Sequence, residues 1–173
     1  SDVDGNTEER RGTISVFNGP NPEITVLDSP EEEMESVSKW LSDRIGEGLM
    51  PHEIGVFVRS EAELERSRKA VEDAGIPYKV LDEDVENTSG YVSISTMNLA
   101  KGLEFRAVVV MACDDEIIPL QERIETVSDD TDLEEVYNTE RHLLYVACTR
   151  ARDHLLVTSV NPASEFLDDL RGM

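Results

Sequence analysis

Residues 95–105 (STMNLAKGLEF) contain residue types that could bind a nucleotide. Gly102 permits a tight backbone turn, and the Glu104 carboxylate can accept a hydrogen bond from a sugar hydroxyl. Ligands of parallel α/β proteins bind at turns along the sheet edge, so the turn with Lys101, Gly102 and Glu104 is a candidate binding site. The pattern is weak when taken alone, because a surface turn without function can contain it.

Residues 140–151 (ERHLLYVACTRA) contain a candidate phosphate ligand near the end of a predicted helix. Leu144, Ala147 and Ala151 recur at helical spacing, which indicates that one face packs on a core. Arg150 carries a permanent charge, and its forked guanidinium suits phosphate oxygens. The same arginine also suits the negative end of a helix dipole. The helix alone favours this second, structural role.

The order of these stretches carries more information than either stretch by itself. Residues 95–105 and 140–151 resemble motifs V and VI of the UvrD/Rep family of superfamily 1 helicases. Residues 54–60 (IGVFVRS), followed by 75–81 (GIPYKVL), resemble the motif IV region of that family. The resemblance is dense from about residue 53 to residue 159. It implies the second RecA-like motor domain of a DNA helicase.

The resemblance also implies roles for particular residues. They form a phosphate-contacting pair (Arg59, Arg150), a ribose-binding turn (Lys101, Gly102, Glu104), a single-stranded DNA contact (Thr96, Asn98) and a group that couples the cleft to the DNA path (Glu140, Arg141, Tyr145). Two positive charges at the γ-phosphate of ATP would stabilise the charge that develops in phosphoryl transfer. The two arginines are therefore the predicted catalytic residues.

Some positions depart from the family pattern. Asn98 stands where the family usually has histidine, and Val58 stands where a tyrosine often stacks on adenine. His142 replaces the second arginine of motif VI. Only about ten residues separate Leu81 from Tyr91, where larger members insert a whole domain. The sequence thus predicts a compact member with weaker base stacking and a less secure DNA contact.

Short apolar runs alternate with helical patterns along the chain, which predicts an α/β fold with a mostly parallel, RecA-like (P-loop NTPase-type) sheet and helices on both faces. Strands are predicted at residues 12–17, 23–28, 53–58, 76–81, 91–96, 107–112 and 154–159, and helices at 31–45, 60–74 and 132–152. A polar leader at 1–12 is expected before a single domain at 13–173. Ten acids and one base between residues 114 and 135 predict an acidic, mobile loop at about 114–132.

The net charge of −22 repels polyanions and disfavours free-standing binding to DNA. The chain has no GxxxxGK[ST] phosphate loop and no recognisable Asp-Glu strand end for Mg²⁺. ATP and its Mg²⁺ would therefore be held mainly by an N-terminal RecA-like domain of the same protein. The chain alone is expected not to hydrolyse ATP.

The two cysteines, Cys113 and Cys148, lack metal-ligand spacing and lie in apolar stretches, which predicts reduced thiols in the cytoplasm and no metal site. No apolar run approaches the roughly 20 residues that span a bilayer. Ser1 and the polar residues after it suggest a piece of a longer protein. We expect this piece to be monomeric and not bound to a membrane.

Three functional hypotheses follow. The first is the C-terminal motor domain of an ATP-dependent DNA helicase or translocase that acts on single-stranded or duplex DNA and moves 3′ to 5′. The second is a degenerate RecA-like module that only binds or interacts. The third is the motor part of a helicase-nuclease. The retention of Arg59, Arg150 and Glu104 favours the first hypothesis, because a scaffold does not need them.

Overall fold

The computed structural model describes residues 21–84 and 87–171. Its single sheet has the strand order β1-β6-β5-β2-β4-β3, and every neighbouring pair is parallel. The strands are β1 (Glu23–Leu27), β2 (Ile54–Val58), β3 (Tyr78–Val80), β4 (Val92–Thr96), β5 (Phe105–Val110) and β6 (Ala151–Val160). The predicted parallel sheet is confirmed. The expected strand at 12–17 and the polar leader lie outside the described residues.

Helices cover both faces of the sheet, as the alternating pattern predicts. In the described residues they are α1 (Pro30–Gly46), α2 (Leu64–Asp73), α3 (Gln121–Glu125), α4 (Asp130–Cys148) and α5 (Leu167–Leu170). Val37 of α1 and Val71 of α2 belong to the core on one face, whereas Leu144 of α4 and Leu167 of α5 belong to the core on the other. In this part of the chain, no helix is long and apolar enough to cross a membrane.

The two predicted helix starts differ in the structure. The Ser29 hydroxyl accepts a hydrogen bond from the Glu32 amide (3.2 Å), and Pro30 occupies the first turn of α1. A serine cap followed by a proline in the first turn is a common start of an α-helix. Ser60 makes no side-chain cap, and a single 3₁₀ turn over Glu61–Glu63 precedes α2. The sequence Ser60-Glu61-Ala62-Glu63 has the pattern of a capping box, but no capping box forms there.

The acidic segment contains regular structure. Helix α3 lies inside it, and α4 begins at Asp130, where the Asp129 carboxylate accepts a hydrogen bond from the Asp132 amide (2.9 Å). Asp114 accepts hydrogen bonds from Arg66 and from the Val160 amide, at 2.8 and 2.7 Å, so its carboxylate is anchored to the fold. The segment is not an irregular loop throughout, and its mobility stays a prediction.

Helix α4 ends at Cys148 and not at residue 152 as predicted. Arg150 therefore lies in the two-residue link between α4 and β6, and Arg152 belongs to the strand. Cys148 and Cys113 are free thiols buried in the core beneath α4. Burial raises the pKa of Cys148 to about 12, so it stays protonated and packs as a small apolar side chain.

Candidate nucleotide and DNA site

The parallel topology distributes the predicted site residues between two edges of the sheet. Thr96 ends β4 and Arg59 directly follows β2, so both lie at the carboxyl edge. Glu104 and Arg150 directly precede β5 and β6 at the amino edge, where the Phe105 amide donates to the Arg150 carbonyl oxygen (2.9 Å). The expected ribose turn therefore lies at the amino edge, and the residues expected to contact DNA lie at the opposite, carboxyl edge.

Arg59 is buried and bound to Glu140 of α4. Its Nε donates to Glu140 Oε1 at 2.9 Å, and its Nη2 donates to Oε2 at 2.6 Å. The two side chains are 5% and 0% exposed. This forked geometry is the strong form of an arginine–carboxylate interaction. The Arg59 charge is therefore already compensated within the domain.

Glu140 accepts two further hydrogen bonds. The Leu120 amide donates to Oε1 (2.7 Å), and Arg123 Nη1 of α3 donates to Oε2 (2.8 Å). Burial alone would raise the pKa of Glu140, but the hydrogen bonds from Arg59, the Leu120 amide and Arg123 lower it overall. Glu140 is therefore an ionised hub that joins β2, α3 and α4.

Arg150 has a different environment. Its Nε donates to the Val146 carbonyl oxygen (3.1 Å), Nη1 to the Leu103 carbonyl oxygen (3.2 Å) and Nη2 to the Thr149 hydroxyl (3.3 Å). Among residues 21–84 and 87–171, no carboxylate forms an ion pair with it. These contacts match the helix-end role that the sequence of α4 favours. They also leave the charge uncompensated by any described acid.

The two arginines do not meet in this structure. Arg59 contacts Glu140, which precedes Arg150 by ten positions. Arg59 lies at the carboxyl edge of the sheet, whereas Arg150 follows the end of α4 at the amino edge. The convergence of the two arginines on a γ-phosphate stays a prediction.

The expected ribose turn is open to solvent. Gly102 has φ 85°, a left-handed conformation that favours glycine, and Lys101 and Glu104 are exposed. Glu104 lines a cavity of about 260 Å³ at the amino edge, and the other lining residues are His52, Glu53, Phe105, Arg106 and Arg152. Glu104 is thus accessible to a ligand, beside two arginines.

The expected DNA residues line a second cavity, of about 530 Å³, at the carboxyl edge. Thr96 is half-buried and Asn98 is exposed. The described lining of this cavity includes the acids Glu61, Asp82 and Glu83 and contains neither lysine nor arginine. A phosphate backbone would meet negative charge there. The local field opposes DNA binding by this domain alone.

The predicted coupling residues point in different directions. Glu140 faces Arg59, whereas the neighbouring Arg141 binds Asp169 (3.2 Å) and lies over the Phe166 ring at 4.7 Å, on the side of α5. Tyr145 is half-buried and packs against the core beneath α4. Of these three residues, Glu140 contacts a predicted phosphate ligand, Arg59.

Val58 stands where members of the family often have a tyrosine that stacks on adenine. Val58 is fully buried in the core on the α1 side, so it offers no surface for stacking on a base.

Arg123 was not predicted as a site residue, although it contacts Glu140. The sequence feature that could have drawn attention to Arg123 is that it is the single base among ten acids between residues 114 and 135.

Comparisons with known proteins agree with the resemblance to UvrD-like helicases. The model of the family described as "UvrD-like helicase C-terminal domain" matches residues 82–162. Residues 82–162 are therefore similar to the C-terminal domain of UvrD-like helicases. The C-terminal domain of a possible DNA helicase from Lactobacillus plantarum WCFS1 is similar in structure, with a TM-score of 0.64 and 25% identity. That match covers 88% of this chain and 81% of the other.

Curated relatives are similar to about half of this chain. The ATP-dependent DNA helicase UvrD1 of Mycobacterium leprae is 37% identical over 100 residues, which represent 51% of this chain and 12% of the relative. The ATP-dependent DNA helicase PcrA of Staphylococcus epidermidis is 39% identical over 87 residues, 50% of this chain and 11% of the relative. The match with this chain thus spans only 11–12% of the length of these helicases.

Proposed function

We propose that this UvrD-like domain is the C-terminal motor domain of an ATP-dependent DNA helicase or translocase that moves 3′ to 5′. The observation that carries the proposal is the family match over residues 82–162, which contains the turn with Glu104 and the link with Arg150. An N-terminal RecA-like domain would hold ATP and Mg²⁺. This domain would close the cleft and contact the transferred phosphate.

The amino edge is the part of the domain best suited to face the nucleotide. Glu104 is exposed there. The amide of Phe105, the residue after Glu104, donates a hydrogen bond to the Arg150 carbonyl oxygen. The guanidinium of Arg150 is held only by neutral oxygens. A phosphate carries full negative charge and would replace these neutral acceptors favourably. Arg150 would then act as an arginine finger.

Thr96 and Asn98 would contact single-stranded DNA at the carboxyl edge. The acids around their cavity and the net charge of −22 oppose this contact in the domain alone. A basic surface on another domain would therefore have to supply most of the phosphate contacts. DNA binding would depend on the assembled protein.

The test compares the chain alone with a protein that joins it to the N-terminal ATP-binding domain. The joined protein should hydrolyse ATP faster when single-stranded DNA is added. The chain alone should show no turnover and should bind a labelled oligonucleotide weakly at about 150 mM salt, because its acids repel phosphates. Absence of DNA-stimulated turnover in the joined protein would favour the alternative of a RecA-like binding module.

Glu104→Ala is expected to raise the KM for ATP by about 10-fold or more, because a hydrogen bond to a charged group contributes about 1.5–3 kcal/mol. The kcat should change less, since the ribose is bound similarly before and during phosphoryl transfer. Steady-state kinetics of the joined protein measure both constants. Glu165→Ala removes another exposed acid and serves as the control. Equal KM values for the two variants would exclude Glu104 as the ribose ligand.

A further inference from the structure

The cavity that contains Glu104 also contains an arginine whose charge is only loosely paired. Arg152 lines this cavity of about 260 Å³, and its side chain is 58% exposed. We propose that the planar guanidinium of Arg152 stacks on the base of the nucleotide whose ribose Glu104 binds. This inference rests on the proposed function. It adds a subsite for the base to the expected contacts with ribose and phosphate.

The positions of Arg150 and Glu104 set the direction in which a nucleotide would lie. Arg150 donates to the Val146 carbonyl oxygen of α4 and to the Leu103 carbonyl oxygen, so its guanidinium lies on the α4 side of the amino edge. In a nucleotide the ribose lies between the phosphates and the base. Phosphates at Arg150 and a ribose at Glu104 therefore direct the base away from α4.

The cavity lies in that direction. His52 and Glu53 line it, and they belong to the 3₁₀ turn between β2 and α1, the helix that packs on the opposite face of the sheet from α4. The described lining does not include Arg150. Cavities that enclose a whole ligand of drug size have volumes of about 300–1,000 Å³. A cavity of about 260 Å³ therefore suits a base better than a complete nucleotide.

Arg152 is the lining residue best suited to contact a base. Arg106 is already held by two acids, since its Nε donates to Asp153 Oδ2 (2.8 Å) and its Nη1 lies 3.6 Å from Glu53 Oε2. The Phe105 ring is buried in the core beneath α4. Arg152 lies 3.8 Å from Asp153 Oδ1, which is too long for a hydrogen bond, so this acid does not fix its guanidinium. Guanidinium planes stack on aromatic rings.

The experiment measures the binding of two ligands to the joined protein, ADP and ribose 5′-diphosphate, which has a hydroxyl in place of the base. Isothermal titration calorimetry with Mg²⁺ gives both dissociation constants. Arg152→Ala should weaken ADP binding by about 10-fold, within the range for stacking on a base, and ribose 5′-diphosphate binding by less than about twofold. Arg152→Lys keeps the charge but lacks the planar face, so it should also weaken ADP binding.

The matched control is Arg68→Ala, because Arg68 is 40% exposed and pairs with Glu65 outside the cavity. Equal losses for the two ligands in Arg152→Ala would place Arg152 on the ribose or a phosphate and overturn the inference. So would an Arg152→Ala affinity for ADP equal to that of Arg68→Ala, or an Arg152→Lys protein that binds ADP like wild type.

Glu104→Ala separates a failure of the base subsite from a failure of the proposed function. It should weaken ADP and ribose 5′-diphosphate alike, because both ligands carry the ribose. A loss in Glu104→Ala without a loss in Arg152→Ala would overturn the base subsite alone. If Glu104→Ala weakens neither ligand, the nucleotide site of the proposed function is contradicted, and the base subsite with it.

A spectroscopic measurement locates the base without relying on affinity. His52 is exposed and lines the same cavity. Its ring-proton resonances should shift when ADP is added to the joined protein, because an aromatic base changes the local magnetic field, and they should shift less with ribose 5′-diphosphate. The His52→Gln variant identifies these resonances by their loss. Equal shifts with the two ligands would overturn the placement of the base in this cavity.

Discussion

Replacing Arg150 with alanine is expected to lower DNA-stimulated ATP turnover of the joined protein by at least about 10³-fold, the lower end for an arginine finger. The guanidinium of Arg150 is bound by two carbonyl oxygens and a hydroxyl, and no described acid neutralises it. Its positive charge is therefore available to a developing phosphate charge. Arg150 is better placed for this role than Arg59, which Glu140 already compensates.

The fold should tolerate the loss of Arg150. Each neutral hydrogen bond contributes about 1 kcal/mol, so Arg150→Ala should unfold at a slightly lower urea concentration. Single-turnover and steady-state ATPase assays with saturating single-stranded DNA measure the effect. The control is Arg171→Ala, which removes an exposed arginine paired with Asp168. Near-normal turnover in a folded Arg150→Ala protein would exclude the arginine-finger role.

Replacing Glu140 with alanine is expected to lower the free energy of unfolding by about 3–5 kcal/mol. The change removes four hydrogen bonds and leaves Arg59 buried without its carboxylate. An uncompensated buried charge is the main cost of breaking such a pair. Urea unfolding of the chain at pH 7, followed by circular dichroism, measures the difference. A loss below about 1 kcal/mol would mean that Arg59 finds another partner or water.

The contribution of Glu140 should depend on pH. Its folded-state pKa is lowered, so the folded protein binds a proton at this group less readily than the unfolded chain does. The stabilisation is therefore present above the ordinary glutamate pKa of about 4.3 and is lost as the pH falls through the lowered value. The stability difference between wild type and Glu140→Gln should shrink below about pH 4. A difference that stays constant from pH 7 to the acid transition would argue against an ionised Glu140.

The positions of strands and helices follow from local patterns of apolar residues. Six runs become β1 to β6 close to their predicted places. Strand β2 is buried along its whole length, as its continuous apolar run predicts, whereas β1 and β3 are only partly buried. The ends of the helices and strands were harder to predict than their positions. Helix α4 ends at Cys148 although Thr149 to Arg152 suit a helix, because Ala151 pairs with Phe105 in the sheet. Pairing with a distant strand outweighs local preference.

The sequence by itself determined the parallel α/β architecture, the motif order and the identity of Arg59, Glu104 and Arg150 as candidates. These properties depend on residue types, spacing and near neighbours along the chain. Only the tertiary structure decided which partner each arginine has. Glu140 lies 81 positions from Arg59, and Arg123 reaches the same carboxylate from another helix. Ion-pair partners depend on which distant segments pack together, and no local spacing encodes that.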